Sequence, residues 1–173
     1  MHHPSERLWS QYNPGGRIFI ATDGACRNNG NPNALAGYGV YWGPNDRDNR
    51  SFQLRDGSHP TSKRAELTAA ICALSDFKNF FHNGDFAHSD RIVYVVIKTD
   101  SAYMVNSLTN WIVEWRRNGY VSSTGQPVLN KDLIRELDDL CCEIDDLGVQ
   151  ACFWKVPREQ NTHAYQLARA AIR

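Results

Sequence analysis

From residue 17 hydrophobic and polar positions alternate with period two. Ile18, Ile20 and Thr22 fall on one face and Phe19, Ala21 and Asp23 on the other, which predicts a strand closing at Asp23. After a Gly- and Asn-rich turn over 28–33, two more strands are predicted, at Gly37-Tyr38-Gly39-Val40-Tyr41-Trp42 and Ser51-Phe52-Gln53-Leu54. The turn Gly43-Pro44-Asn45-Asp46 joins them into an antiparallel meander. Between 61 and 81 the period changes: Leu67, Ile71 and Leu74 form one apolar row and Ala70, Ala73 and Phe77 an adjacent one, behind a Thr61/Ser62 start signal. A helix lying on the sheet is expected there. A polar loop over 82–90 precedes Ile92 to Ile97, a near-continuous β-branched run of the kind found in strands covered on both faces, and this run leads into Thr99-Asp100. Helical residues 101–117, a loop over 118–129, an acidic helix over 131–146, a strand over 149–155 and a last helix from about 161 complete the pattern. Strands first, then alternating helix and strand, predict an α/β fold: a mixed five-stranded sheet, antiparallel meander plus parallel strands, flanked by helices.

A chain of 173 residues fits one domain. Residues 1–16, ending in the turn signal Asn13-Pro14-Gly15-Gly16, are expected to be a flexible lead-in, and residues 17–173 the domain. The formal net charge is zero, so composition gives no reason to expect a polyanionic partner, and any basic surface must be a local patch. The five cysteines, Cys26, Cys72, Cys141, Cys142 and Cys152, have neither disulfide-framework nor zinc spacing, and suit a reduced intracellular set. No apolar run approaches membrane-spanning length, and the first 13 residues lack the apolar stretch of a secretory signal. The expectation is an intracellular monomer with no membrane partner; nucleus, cytoplasm and mitochondrion are not distinguished.

Three carboxylates are placed unusually. Asp23 ends an apolar strand, Asp100 follows the most hydrophobic run, and Glu66 leads the row of Ala70, Ala73 and Phe77 that faces the sheet. Singly they read as a turn residue, a helix N-cap and a first-turn acid favoured by the helix dipole. If they converge, each raises the others' affinity for protons unless a cation lies between them. Oxygen-only ligands favour magnesium, manganese or calcium, and a pair of such ions suits phosphodiester cleavage.

The surrounding residues are Thr22-Asp23-Gly24-Ala25-Cys26, Gly37-Tyr38-Gly39-Val40-Tyr41-Trp42-Gly43, Arg64-Ala65-Glu66-Leu67 and Thr99-Asp100-Ser101. The series continues through Thr109-Asn110-Trp111, Trp115 to Tyr120, Pro127 to Leu133 and Leu167-Ala168-Arg169. In this order the chain, from about Arg17 to its end, resembles ribonuclease H of type 1. The resemblance implies an endonuclease that hydrolyses the RNA strand of an RNA/DNA hybrid by in-line attack of metal-activated water, leaving 5′-phosphate and 3′-hydroxyl ends. It implies two Mg2+ ions, with Mn2+ as a substitute. Asp23 would touch both, and Glu66 and Asp100 would hold the leaving-group-side ion. Asn29 resembles the family's contact to RNA 2′-hydroxyls, and Thr61 and Asn130 resemble the pair that grips a DNA phosphate. Ser62 and Lys63 stand where the family often has Asn and Gln. Trp111 to Tyr120 resembles the basic protrusion, with Trp115 and Tyr120 expected to face substrate, Arg116 and Arg117 to track phosphates, and Trp111 to lie mainly in the core.

The last helix departs from the family. Where the fourth aspartate belongs stands Tyr165, with the register held by Asn161, Ala164 and Leu167-Ala168-Arg169. A neutral phenol binds a hard cation poorly, so the nucleophile-side ion lacks its usual ligand. Tyr165 reads either as part of a weakened site or as a residue packed toward the sheet with Ala168 and Ile172. The loop over 156–160 is shorter than the family's histidine-containing loop, which leaves His163 as a candidate for proton transfer or as a surface residue. The alternative to an active enzyme is a weakened or silent module that binds hybrids or a protein partner.

Overall fold

The computed structural model describes residues 12–13, 15–55, 57, 59–86 and 88–173. Its sheet runs β4-β3-β2-β5-β6. β2 (Arg17–Arg27), β3 (Leu35–Tyr41) and β4 (Arg50–Gln53) form the antiparallel meander. β5 (Tyr94–Thr99) lies parallel to β2 and β6 (Gln150–Lys155) parallel to β5, which gives the expected mixed five-stranded order. Most of the expected lead-in over 1–16 lies outside the described residues. Tyr12–Asn13, however, forms a short strand β1 that pairs with Ile18 and Arg17, so sheet pairing begins before residue 17.

Two helical layers cover the sheet. α1 (Ser62–His82) buries Leu67, Ala70, Ala73, Leu74 and Phe77, the predicted rows, and starts at Thr61, whose hydroxyl accepts from the Arg64 N–H at 3.2 Å. α4 (Lys131–Asp145) buries Leu133, Ile134, Leu137, Leu140 and Ile144, a stripe at helical spacing that packs with α1 around Ile18, Ile20, Val95 and Ile97. α5 (Thr162–Ala170) packs on β3 and β2. Its approach is close because Gly37 and Gly39 have no Cβ: one added at Gly39 would collide with the Ala164 carbonyl and Leu167, and one at Gly37 with Ala171 and Ile172.

Two predicted elements end differently. β2 does not close at Asp23 but continues to Arg27. Its parallel pairing with β5 stops at Ala21 opposite Lys98, while pairing with β3 carries on from Ala21 to Arg27. The helical stretch 101–117 is interrupted: α2 (Ala102–Asn106) passes through a wide π turn (Ser107–Trp111) into α3 (Ile112–Asn118). An i to i+5 turn shifts the apolar face by one position, so Ile112 is buried at 4% exposure and Trp111, expected in the core, is 42% exposed. No helix among the described residues is long and apolar enough to cross a membrane. All five cysteines are unpaired, and burial pushes the Cys72 thiol up to about 11 and that of Cys141 to about 12.

Candidate active site

The site forms where β2 outruns β5. Past Ala21 the β5 side of β2 is open, and Asp23 stands in this opening one residue beyond Thr22, whose carbonyl accepts from the Asn161 side chain at 2.9 Å. Asn161 is buried, and this bond pins the start of α5 to β2. Glu66 reaches the same place because Gly24 lets α1 close on β2: a Cβ at Gly24 would strike the Glu66 amide and Ala65. Asp100 follows the last residue of β5.

Asp23 is 2% exposed. Burial first, then the charges of Asp100 and Glu66, raise its carboxyl to about 7, against the pull of the Gly24 N–H (2.8 Å to Oδ1) and of Arg158. Its second oxygen, Oδ2, is buried and accepts no protein hydrogen bond. The Glu66 carboxyl is also raised, by burial and then by Asp100, although the Ser101 hydroxyl donates to Oε2 and lowers it. Ser101 caps α2 through the Met104 N–H at 3.2 Å, so one side chain fixes both a helix start and a carboxylate.

Asp100 forms an ion pair with Arg158 Nε at 2.9 Å, and the same guanidinium lies 5.5 Å from the centre of the Tyr165 ring. Tyr165 is half-buried beside this cation and does not join the Ala168–Ile172 packing expected of it. Arg158 and Ser101 are site residues that the sequence reading missed. Ser101 lies inside the Thr99-Asp100-Ser101 block, whereas nothing local distinguishes Arg158 within its polar loop. His163 stacks on Tyr41 of β3 at 4.5 Å and makes no hydrogen bond to Asp23, Glu66 or Asp100.

The donor set suits a hard divalent cation: three carboxylates that repel one another, one with a buried oxygen that no protein group satisfies. Among the described residues no three acidic, histidine or cysteine side chains are already grouped as a cation cage. Ser101 and Arg158 hold Glu66 and Asp100 in their present positions. At the fourth position the fit fails, because Tyr165 offers a phenol and Arg158 adds a positive charge beside it.

A polar rim lies across α1 and α4. Arg64 donates to Asp132 at 3.0 and 2.7 Å and to Asn130 Oδ1 at 3.4 Å, which brings Asn130 next to the start of α1 capped by Thr61. The Asn130 amide donates to the Tyr103 hydroxyl at 3.1 Å, and Lys63 Nζ sits 4.7 Å from the centre of the Tyr103 ring. Asn29 accepts from the Ser62 N–H at 3.4 Å, so Asn29, Thr61, Ser62, Lys63 and Asn130 form one edge. The protrusion is organised differently from expectation. Arg116 forks onto Asp138 of α4, which is 6% exposed, and the Tyr120 hydroxyl donates to the same carboxylate at 3.3 Å. Trp115 and Tyr120 are partly buried against the core, so Trp111 is the exposed aromatic; Arg116 and Arg117 are both exposed, but Arg116 is paired to Asp138. The register shift at the π turn causes this exchange.

A family model described as RNase H matches residues 16–172. Ribonuclease H1 of Rattus norvegicus is 37% identical over 131 residues, which are 76% of this chain and 42% of that protein; the chain thus spans less than half the length of this relative. Ribonuclease H of Neisseria gonorrhoeae is 39% identical over 123 residues, covering 71% of this chain and 73% of the bacterial one. Among solved structures, that of LC11-RNase H1 in complex with an RNA/DNA hybrid superposes with a TM-score of 0.59 at 22% identity, over 89% of this chain and 95% of the other.

Proposed function

Because the chain belongs to the ribonuclease H family, we propose that it hydrolyses the RNA strand of RNA/DNA hybrids, leaving 5′-phosphate and 3′-hydroxyl ends. The observation that carries this reading is Asp23, a buried carboxylate with an unsatisfied oxygen, set beside Glu66 and Asp100 in the opening between β2 and β5. Asp23, Glu66 and Asp100 would hold magnesium or manganese, and the ion supplies, when bound, Lewis acidity at the phosphodiester and the charge that lets three acids stay ionised together. Ser101 orients Glu66, and Asn161 ties the start of α5 to the strand that carries Asp23. Asn29 and Ser62 face RNA 2′-hydroxyls and Thr61 and Asn130 a DNA phosphate, while in the protrusion Trp111 replaces Trp115 as the exposed aromatic and Arg117 is the phosphate contact, Arg116 being engaged by Asp138.

A second reading, a module that binds hybrids with little turnover, is favoured by one feature, the Tyr165–Arg158 pair where a fourth carboxylate would complete a two-ion site. One experiment separates the two. A labelled hybrid is incubated with magnesium and the chain, its Asp100→Asn variant or its Tyr165→Asp variant. The enzyme reading expects cleavage that Asp100→Asn lowers at least a hundredfold and that Tyr165→Asp raises at low metal concentration. Equal background cleavage by the chain and Asp100→Asn, with hybrid binding intact in both, overturns it in favour of the binding module.

A further inference from the structure

Beyond the carboxylates, Arg27, Arg169 and Arg173 surround a hollow of about 230 Å³ that Ile172 also lines. None of the three guanidinium groups has a carboxylate or hydrogen-bond partner among the described residues. Three like charges around one hollow repel each other, and in a chain of zero net charge this clustering is local. The ligand chemistry that offsets it is a phosphate, whose oxygens match the planar donor fork of arginine.

The hollow is aligned with the active site by two elements. Along β2, Gly24 and Cys26 face α1, since a Cβ at Gly24 would meet Ala65 and Cys26 packs beside Ala65, Ala36 and Leu54. Ala25 instead packs with Ala168 and Ile172 on the α5 side. By strand alternation Asp23, Ala25 and Arg27 share that side, and at about 3.3 Å per residue Arg27 lies about 13 Å from Asp23. α5 runs the same way: Ala164 lies over Gly39, which pairs with Asp23, and Ala171 over Gly37, which pairs with Ala25. The helix therefore carries Arg169 and Arg173 away from Tyr165 and toward Arg27. A nucleic-acid strand has a phosphate about every 3.4 Å of helix axis, so a strand with one phosphate at Asp23 has another within reach of the hollow.

We propose that Arg27, Arg169 and Arg173 form a phosphate-binding pocket for the strand whose scissile bond lies at Asp23, a contact separate from the rim at Thr61 and Asn130. The pocket sets how far the bound strand is gripped on one side of the cleavage point. This inference rests on the hybrid-nuclease reading.

The test is fluorescence anisotropy of a labelled RNA/DNA hybrid without divalent metal, across a salt series. The full chain is compared with its Arg27→Ala/Arg169→Ala and Arg27→Lys/Arg169→Lys variants, all checked for unchanged thermal unfolding. The alanine pair should weaken binding about tenfold and flatten the slope of log K against log salt by about 1.8, while the lysine pair keeps the slope. Binding by the chain with the alanine pair unchanged in affinity and slope overturns the pocket and leaves the nuclease reading standing. No hybrid binding by the chain itself overturns that reading, and the pocket's role with it. In a parallel arm with inorganic phosphate, thermal stabilisation of the chain but not of the alanine pair, combined with unchanged hybrid binding, also overturns the assignment, because the pocket then serves free phosphate.

Discussion

Burial and two neighbouring carboxylates lift Asp23 to about 7, so the metal-free folded chain keeps a proton there that the unfolded chain, titrating near 3.8, has released. Between these values the native state binds more protons than the unfolded one. The resulting stability is complete at low pH and is lost as pH rises through about 7. Glu66, also raised by burial, acts in the same direction. Without metal, the melting temperature should therefore fall from pH 5 to pH 8, and Asp23→Asn should flatten the fall. At pH 8 that variant is expected to gain about 1–3 kcal/mol, or roughly 3–8 °C by calorimetry; a melting temperature that climbs with pH in the parent chain would refute the account. At this scale the sequence exposes only what stands out against its surroundings. Asp23 and Asp100 are legible because charge interrupts apolar runs, and Glu66 because it leads a buried helical row. Arg158 is illegible: an arginine in a polar loop has water as its default partner, and only the folding of α5 onto β2 brings it between Asp100 and Tyr165.

The helices that the spacing predicts, α1 and α4, form where their stripes are continuous, and the π turn between α2 and α3 is where periodicity misleads. Residues 101–117 read as one helix, with Trp111 inward and Trp115 outward. One extra residue in the turn rotates α3 about its axis, burying Ile112, exposing Trp111 and drawing Trp115 and Tyr120 onto the core. Arg116 is then turned to Asp138 and becomes a brace between α3 and α4. Charge alone does not distinguish it from its neighbour Arg117, which makes no ion pair among the described residues. The two should separate cleanly by measurement. Asp138→Ala removes a buried acceptor from both Arg116 and Tyr120 and is expected to cost about 2–3 kcal/mol in urea unfolding. Arg117→Ala should leave unfolding within about 0.5 kcal/mol of the parent while reducing the salt slope of hybrid binding by about 0.9. Equal loss of stability in both variants would mean that α3 is not held to α4 through this pair.

Over the whole molecule, the strand order and the two helical layers follow from the succession of period-two and helical segments, because each element must bury one face against the next. The course of β2 past Asp23 does not follow from them. It depends on β3 extending farther along β2 than β5 does, a tertiary fact that sets Asp23 within a continuing strand and opens the site beside it. Zero net charge adds a constraint of its own. The molecule as a whole exerts little pull on a polyanion, so attraction to a hybrid has to come from the few cations aimed at it: Lys63 on the rim, Arg117 on the protrusion, and Arg27, Arg169 and Arg173 at the pocket. Each phosphate neutralised contributes about −0.9 to the slope of log K against log salt, and five such contacts give roughly −4.5. An anisotropy titration of the parent chain should therefore show a slope near that value. Because the protrusion and the pocket are separate places, the decreases from Arg117→Ala and from the Arg27→Ala/Arg169→Ala pair should add in the combined variant, leaving a slope near about −2. A parent slope near about −8 would require a broad basic face, which a neutral chain with Arg50, Arg64 and Arg116 tied to Asp76, Asp132 and Asp138 does not have.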